Sequence, residues 1–207
     1  MRRTAALTVG CAVALGAAAC GEDREGQVVV KGGSTGTTAT TPTTAAGGAG
    51  VPAGVATQYR KIEEVAAEGG ERTVGPWRIA YIVEPAEGWF EPQRGRLRWR
   101  PPAAGETNHI EIVPIEAKTG RVVPDVPITL EVLDDRGRRV ARKQLAFYYS
   151  DFFHYASNFA LPRSGRYTLR ATVGVPAFRR HGEEAEGPAL AQGARVEFRG
   201  VQIDVGE

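Results

Sequence analysis

The sequence predicts an all-β domain, an immunoglobulin-like antiparallel sandwich of about seven to eight strands. Three observations point there. Short runs alternate apolar and polar residues, most cleanly at Tyr167, Leu169, Ala171 and Val173. Turn chemistry separates the runs, as in Asp134-Asp135-Arg136-Gly137 and Pro162-Arg163-Ser164-Gly165. Past one short N-terminal helix, every periodic segment has the two-residue repeat of a strand. No Cys–Trp–Cys pattern is present, so such a sandwich must rely on its apolar core.

The N-terminus reads as an export leader over residues 1–19. Arg2 and Arg3 precede an uncharged run, Ala5 to Ala19, too short to span a bilayer as a helix. It ends in Leu15-Gly16-Ala17-Ala18-Ala19-Cys20-Gly21, small residues before a cysteine, as in a bacterial lipobox. Lipidation at Cys20 is the expectation, with Ala17 departing from the usual leucine. Cys11 would leave a very short apolar run, and an ordinary secretory cleavage would leave Cys20 as a free thiol. The chain has two cysteines, and only Cys20 would survive cleavage, so no intrachain disulfide is available. Residues 20–57 form an expected lipid-anchored tether, rich in Gly, Thr and Ala without apolar period, which cannot offset its ordering entropy. Residues 58–207 are the expected folded domain.

Within that domain, Tyr59 to Ala67 suits a short helix ended by Gly69-Gly70. Thr73 to Glu84, near-continuously apolar through Trp77 to Val83, suits a strand buried on both sides. Leu97 and Trp99 alternate with Arg96, Arg98 and Arg100, a one-sided strand with a charged face. The next strand runs from Asn108 to about Lys118. Ile128, Leu130 and Val132 alternate, turn at Asp134–Gly137, and return from Val140 to Phe147. Ser157 to Leu161 and Tyr167 to Val173 are further strands. His181 to Gly193 is a polar, acidic loop, and Arg195 to Val205 is a last strand whose alternation shifts at Gly200, as at a bulge.

His109 and Glu111 share one face of their strand, while Ile110 and Ile112 share the other. An imidazole and a carboxylate two residues apart have a spacing that a metal ion can bridge; a solvated strand face has the same pattern. The chain's other two histidines, His154 and His181, lie near the ends of expected strands. Convergence of all three with Glu111 would suit zinc, copper or iron better than alkaline-earth ions. His154 lies in the aromatic stretch Phe147 to Tyr155, which also suits a core-packing loop.

Other chemistries lack support. There is no Gly-rich phosphate loop, no Gly-x-Ser-x-Gly elbow and no His-Glu-x-x-His. Without the two leader arginines the chain balances at 24 basic and 24 acidic residues, with no basic cluster for nucleic acid.

Val74-Gly75-Pro76, His109-Ile110-Glu111, Ser150-Asp151 with His154-Tyr155 and Asn158, Leu161 to Leu169 with Gly165 and Tyr167, and His181 together carry a resemblance. From about Thr73 onward the chain resembles the periplasmic Fe2+-transport lipoproteins, immunoglobulin-like domains that work beside an iron permease. The resemblance implies that His109, Glu111, His154 and His181 bind a metal, often copper in that family, and that the protein forms a homodimer. Two positions depart. Phe147 stands where the family usually has a methionine ligand, which weakens preference for Cu(I). Phe152-Phe153 replaces a Gly-Pro before the histidine. Phe147 is therefore read as an altered ligand position and Asp151 as a neighbour of the site.

The expectation is a membrane-anchored, extracytoplasmic metal-binding protein of iron uptake, periplasmic or on the outer face of the cell membrane, working without turnover. Its metal is copper or iron, with zinc as an alternative. A copper or zinc homeostasis protein on the same scaffold, or a metal-free immunoglobulin-like envelope module, are the other readings.

Overall fold

A computed structural model describes residues 50–205. The leader, Cys20 and most of the expected tether lie outside the described residues. The elements run α1 (Ala53–Glu68), β1 (Gly70–Val74), β2 (Trp77–Pro85), β3 (Trp89–Gln93), β4 (Arg96–Arg100), β5 (Asn108–Glu116), β6 (Ile128–Leu133), β7 (Arg139–Gln144), β8 (Ala146–Tyr149), β9 (Phe153–Phe159), β10 (Gly165–Val173) and β11 (Ala194–Ile203). One sheet is ordered β1-β2-β5-β9-β8 and the second β11-β10-β6-β7, while β3 and β4 form a separate two-stranded hairpin. All strand pairs are antiparallel. With β2 and β5 as strands A and B, the first sheet follows the immunoglobulin order A-B-E-D and the second G-F-C plus one added strand. The Tyr167 hydroxyl donates to the Arg163 carbonyl at 2.6 Å, the tyrosine corner common in this architecture.

The two inner faces meet in one core. Trp77, Ile79, Ile110, Ile112, Ile128, Leu130, Phe159 and Leu169 are its fully buried centre. The outer face of the first sheet is buried as well. There α1 lays Ile62 and Val65 against Ala80 and Ile82 of β2, Val113 and Ile115 of β5, and Phe152, a second apolar cluster. This double cover explains why β5 is buried at every residue except its last.

Several elements differ from the sequence expectation. The helix starts at Ala53, inside the segment read as tether, because its first turns are small, weakly apolar residues without a clear period. The apolar run 73–84 is two strands. Gly75, at φ 55°, makes a two-residue turn with Pro76 that folds β1 back on β2. The strand expected over 140–147 changes sheet at Leu145: β7 pairs with β6, and β8 pairs with β9. Leu145 itself is buried in the core. The bulge at Gly200 is present: the register shifts there against β10, and Gly200 takes φ 71°.

Trp77 anchors both sheets, being fully buried and donating from its indole Nε1 to the Gln192 carbonyl at 2.8 Å. Trp77→Ala is expected to destabilise the fold by about 3–5 kcal/mol, read as a lower urea midpoint at an unchanged slope.

Candidate metal centre

The two-residue alternation of β5 sends Ile110 and Ile112 into the sandwich core and His109 and Glu111 to the opposite face. That opposite face continues the apolar strip under α1, so the two polar side chains enter a wall that is already dry. From β9, Tyr155 points into the core, so its neighbour His154 points outward beside them. His109, Glu111 and His154 are 2%, 5% and 5% exposed, far from the solvated face the sequence allowed. The His154 Nε2 lies 3.3 Å from the Glu111 Oε1, and the His109 Nε2 lies 3.8 Å from the same oxygen. One donor atom from each residue lies within 4.8 Å of the other two, the only such grouping among the described residues.

Aromatic rings close the cluster. Tyr148, opposite His154 across the β8–β9 ladder, stacks on it at an interplanar angle of 3° and meets His109 edge-on. Trp89 of β3 packs against His109 and edge-on to Tyr148, and the Arg100 guanidinium lies 4.1 Å over its ring. Phe152 flanks His154. The cluster sits at the wall of a cleft of about 1100 Å³ between α1, the β3–β4 hairpin and β8. Glu64, Glu68, Glu84, Glu87, Glu91 and Asp151 line this cleft, with Lys61 as the only lysine or arginine among its described lining residues. Such a wall raises the local concentration of cations.

Burial decides the protonation states. It pushes the Glu111 carboxyl up to about 8, and the nearby carboxylates of Glu84 and Glu87 push the same way. Burial pulls the His154 imidazole down to about 4, with His109 adding to the effect. At neutral pH the Glu111–His154 contact therefore joins two neutral groups and is no ion pair. The His154 Nδ1 is buried without a well-formed hydrogen bond, only the Phe152 backbone lying close enough to act on it. A buried polar atom left without a partner is costly. The donor set fits a transition-metal ion. Four-coordinate zinc, with bonds of about 2.0–2.2 Å, holds its ligand atoms roughly 3.3–3.6 Å apart, close to the two spacings from the Glu111 oxygen.

The structure brings three of the four expected ligands together and leaves His181 out. His181 sits in the loop between β10 and β11, exposed, beside Arg180 and Glu183. That loop is tied down where Trp77 holds Gln192 and where Ala177 donates to the Asp125 carbonyl. Trp77 pairs with Glu116, and from there to His109 is the length of β5, roughly 24 Å. The loop thus hangs at the other end of the strands. Phe147 turns to the face opposite Tyr148, stacking on Phe153 and tilting against Tyr155. Asp151 is exposed at the cleft rim.

The sequence reading assigned no role to Trp89, Tyr148 or Asn158. Asn158 is fully buried, lies opposite His109 in the β5–β9 ladder, and holds its Nδ1 at 2.8 Å. Its even spacing from His154 on one strand was the available signal. Trp89 had none, because β3 is a five-residue strand interrupted by Pro92.

Residues 107–199 match the model of a family described as Fe2+ transport protein. Among solved structures the chain is similar to a copper-bound variant of Campylobacter jejuni P19, at 21% identity and TM-score 0.53, over 67% of this chain and 97% of that one. The copper-reconstituted P19 of the same organism is similar at 23% identity and TM-score 0.51, over 65% and 94%. FetP from uropathogenic E. coli strain F11 is similar at 20% identity and TM-score 0.51, over 66% and 96%. At these identities the likeness is one of fold. No curated protein sequence matches the chain.

The protonation states have a consequence for metal-free stability. Glu111 ordinarily titrates near 4.5 and in the fold near 8, so above 4.5 the folded state holds a proton that the unfolded state has lost. Its contribution thus declines as pH rises through that window. His154, lowered from 6.5 to about 4, acts in the opposite sense below 6.5. Between about pH 6.5 and 8 only the Glu111 effect remains, and stability is expected to fall by up to about 1.4 kcal/mol per pH unit. Thermal melts of metal-free protein check this, and Glu111→Gln should flatten the decline.

Proposed function

We propose, from the premise that this chain belongs through residues 107–199 to the Fe2+ transport protein family, that it captures a divalent transition-metal ion at His109, Glu111 and His154 as cargo for iron uptake. The observation that carries this reading is a buried group of two imidazoles and a carboxyl at the wall of an acidic cleft. The carboxylates of the cleft draw in a cation. The ion takes the imidazole nitrogens and displaces the proton of Glu111, whose negative charge then has a partner. Arrival of the ion thus exchanges for one proton, and acidification reverses the exchange. The protein binds and releases its ion without turnover.

The donors are nitrogen and oxygen, and Phe147 supplies no thioether, so Fe(II), Cu(II) and Zn(II) suit the set better than Cu(I). The copper-bound state of the P19 structures supports keeping a copper- or zinc-handling role on the same scaffold as a second reading. In the leading reading Cys20 carries a lipid anchor, residues up to about 50 tether the domain outside the cytoplasmic membrane, and an iron permease receives the ion. The lipobox-like residues Ala17 to Cys20 support the anchor. The homodimer belongs to this proposal through the family resemblance.

Titration calorimetry of the mature chain with Cu(II), Zn(II) and anaerobic Fe(II) tests the reading. One site per chain is expected, with affinity lost in the His109→Ala, His154→Ala double variant. Affinity should rise close to tenfold per pH unit between about 6 and 8, because one proton leaves for each ion bound. Binding that is flat over this range, or equal in the double variant, would contradict it, and no binding at all would leave the metal-free envelope module.

A further inference from the structure

The three grouped residues differ in how they are held. His154 has a bare inner nitrogen, whereas the inner nitrogen of His109 meets a side chain whose every hydrogen-bonding group is used. The Asn158 Nδ2 donates to the Glu87 carbonyl at 2.7 Å and to the Glu106 Oε2 at 3.0 Å. Its Oδ1 accepts from the Glu87 backbone N–H at 3.2 Å and faces the His109 Nδ1 at 2.8 Å.

The amide can sit only this way round. Turned over, its NH2 would face the Glu87 N–H, and its oxygen would face a carbonyl and a carboxylate. That carboxylate is ionised throughout the accessible pH range. The Arg100 guanidinium grips Glu106 through both oxygens at 2.8 and 3.0 Å, and with the Ala103 N–H it holds the Glu106 carboxyl down at about 2. An acceptor-only oxygen therefore points at the His109 Nδ1, and only a donor satisfies it.

We propose that Asn158 is a positioning residue that locks His109 as the Nδ1–H tautomer, leaving the Nε2 lone pair aimed at Glu111 and His154. Free imidazole side chains favour the opposite, Nε2–H form, which would turn a hydrogen toward the cluster. The lock is built before any ion arrives. Its chain runs from Arg100 through Glu106 and Asn158 to His109, so it ties the β3–β4 hairpin, which also supplies Trp89, to the orientation of one ring. The value of the lock for ligation rests on the metal reading of the cluster; the tautomer does not.

The test is a long-range proton–nitrogen correlation NMR spectrum of metal-free, nitrogen-15-labelled protein near neutral pH. The chain has three histidines, so single substitutions assign their rings. The expected pattern for His109 is a protonated Nδ1 and a bare Nε2. In Asn158→Leu the ring should move toward the Nε2–H form, and metal affinity should drop about 10- to 100-fold, the usual effect of removing an outer partner of a ligating histidine. A bare Nδ1 in the unaltered protein would overturn the proposal whether or not the variant folds. An unchanged tautomer in a folded Asn158→Leu protein would overturn it too. The expected tautomer in a protein that binds no metal would uphold the lock and sink the metal reading instead.

Discussion

A carboxyl group carried into a dry wall is the constraint around which this structure is arranged. Glu111 is built into a strand packed on both faces, and its side chain is almost fully buried at the wall of the cleft. Desolvation and the nearby Glu84 and Glu87 hold it protonated, and the same burial keeps His154 neutral. Two of the three grouped side chains are thereby uncharged at neutral pH. In the proposed function, an arriving ion would reverse the balance that keeps the proton in place, and this would link occupancy to pH.

That dryness comes from what surrounds an ordinary sandwich. The outer face of an immunoglobulin sheet often meets water. Here α1 covers one end of it, and the β3–β4 hairpin, inserted between the first two sandwich strands, brings Trp89 to the other. The main core and the cluster lie on opposite faces of the same strands, so rigid packing of Ile110 and Ile112 on one side fixes His109 and Glu111 on the other. The hairpin keeps Phe90, Leu97 and Trp99 exposed while its root is pinned by Arg100 to Glu106. The element that roofs the cluster is thus tied to the network that orients it.

Much of this was legible in the residues. The alternation of β10, the turn at Asp134–Gly137, the bulge at Gly200 and the shared face of His109 and Glu111 are local properties, set by the two-residue period and by backbone conformations that glycine allows. The misreadings have different origins. The break at Gly75 is a two-residue turn inside an apolar run, the start of α1 at Ala53 lies among small residues without a period, and the change of sheet at Leu145 depends on which partner each half of the segment pairs with. Scarcity and the family resemblance both group His181 with the other histidines, and within one chain the path sets its loop at the opposite end of the strands.

The sequence alone determined a β-rich domain, the face on which each strand residue lies, and the pairing of an imidazole with a carboxyl two residues apart. These follow from short-range geometry that every strand obeys. Only the tertiary structure decided that this face is buried, that His154 lies beside His109 and Glu111 while His181 of the same chain lies elsewhere, and that Asn158 and Trp89 belong to the surroundings. The reason is physical: burial, protonation and hydrogen-bond partnership depend on atoms that are distant along the chain and near in space.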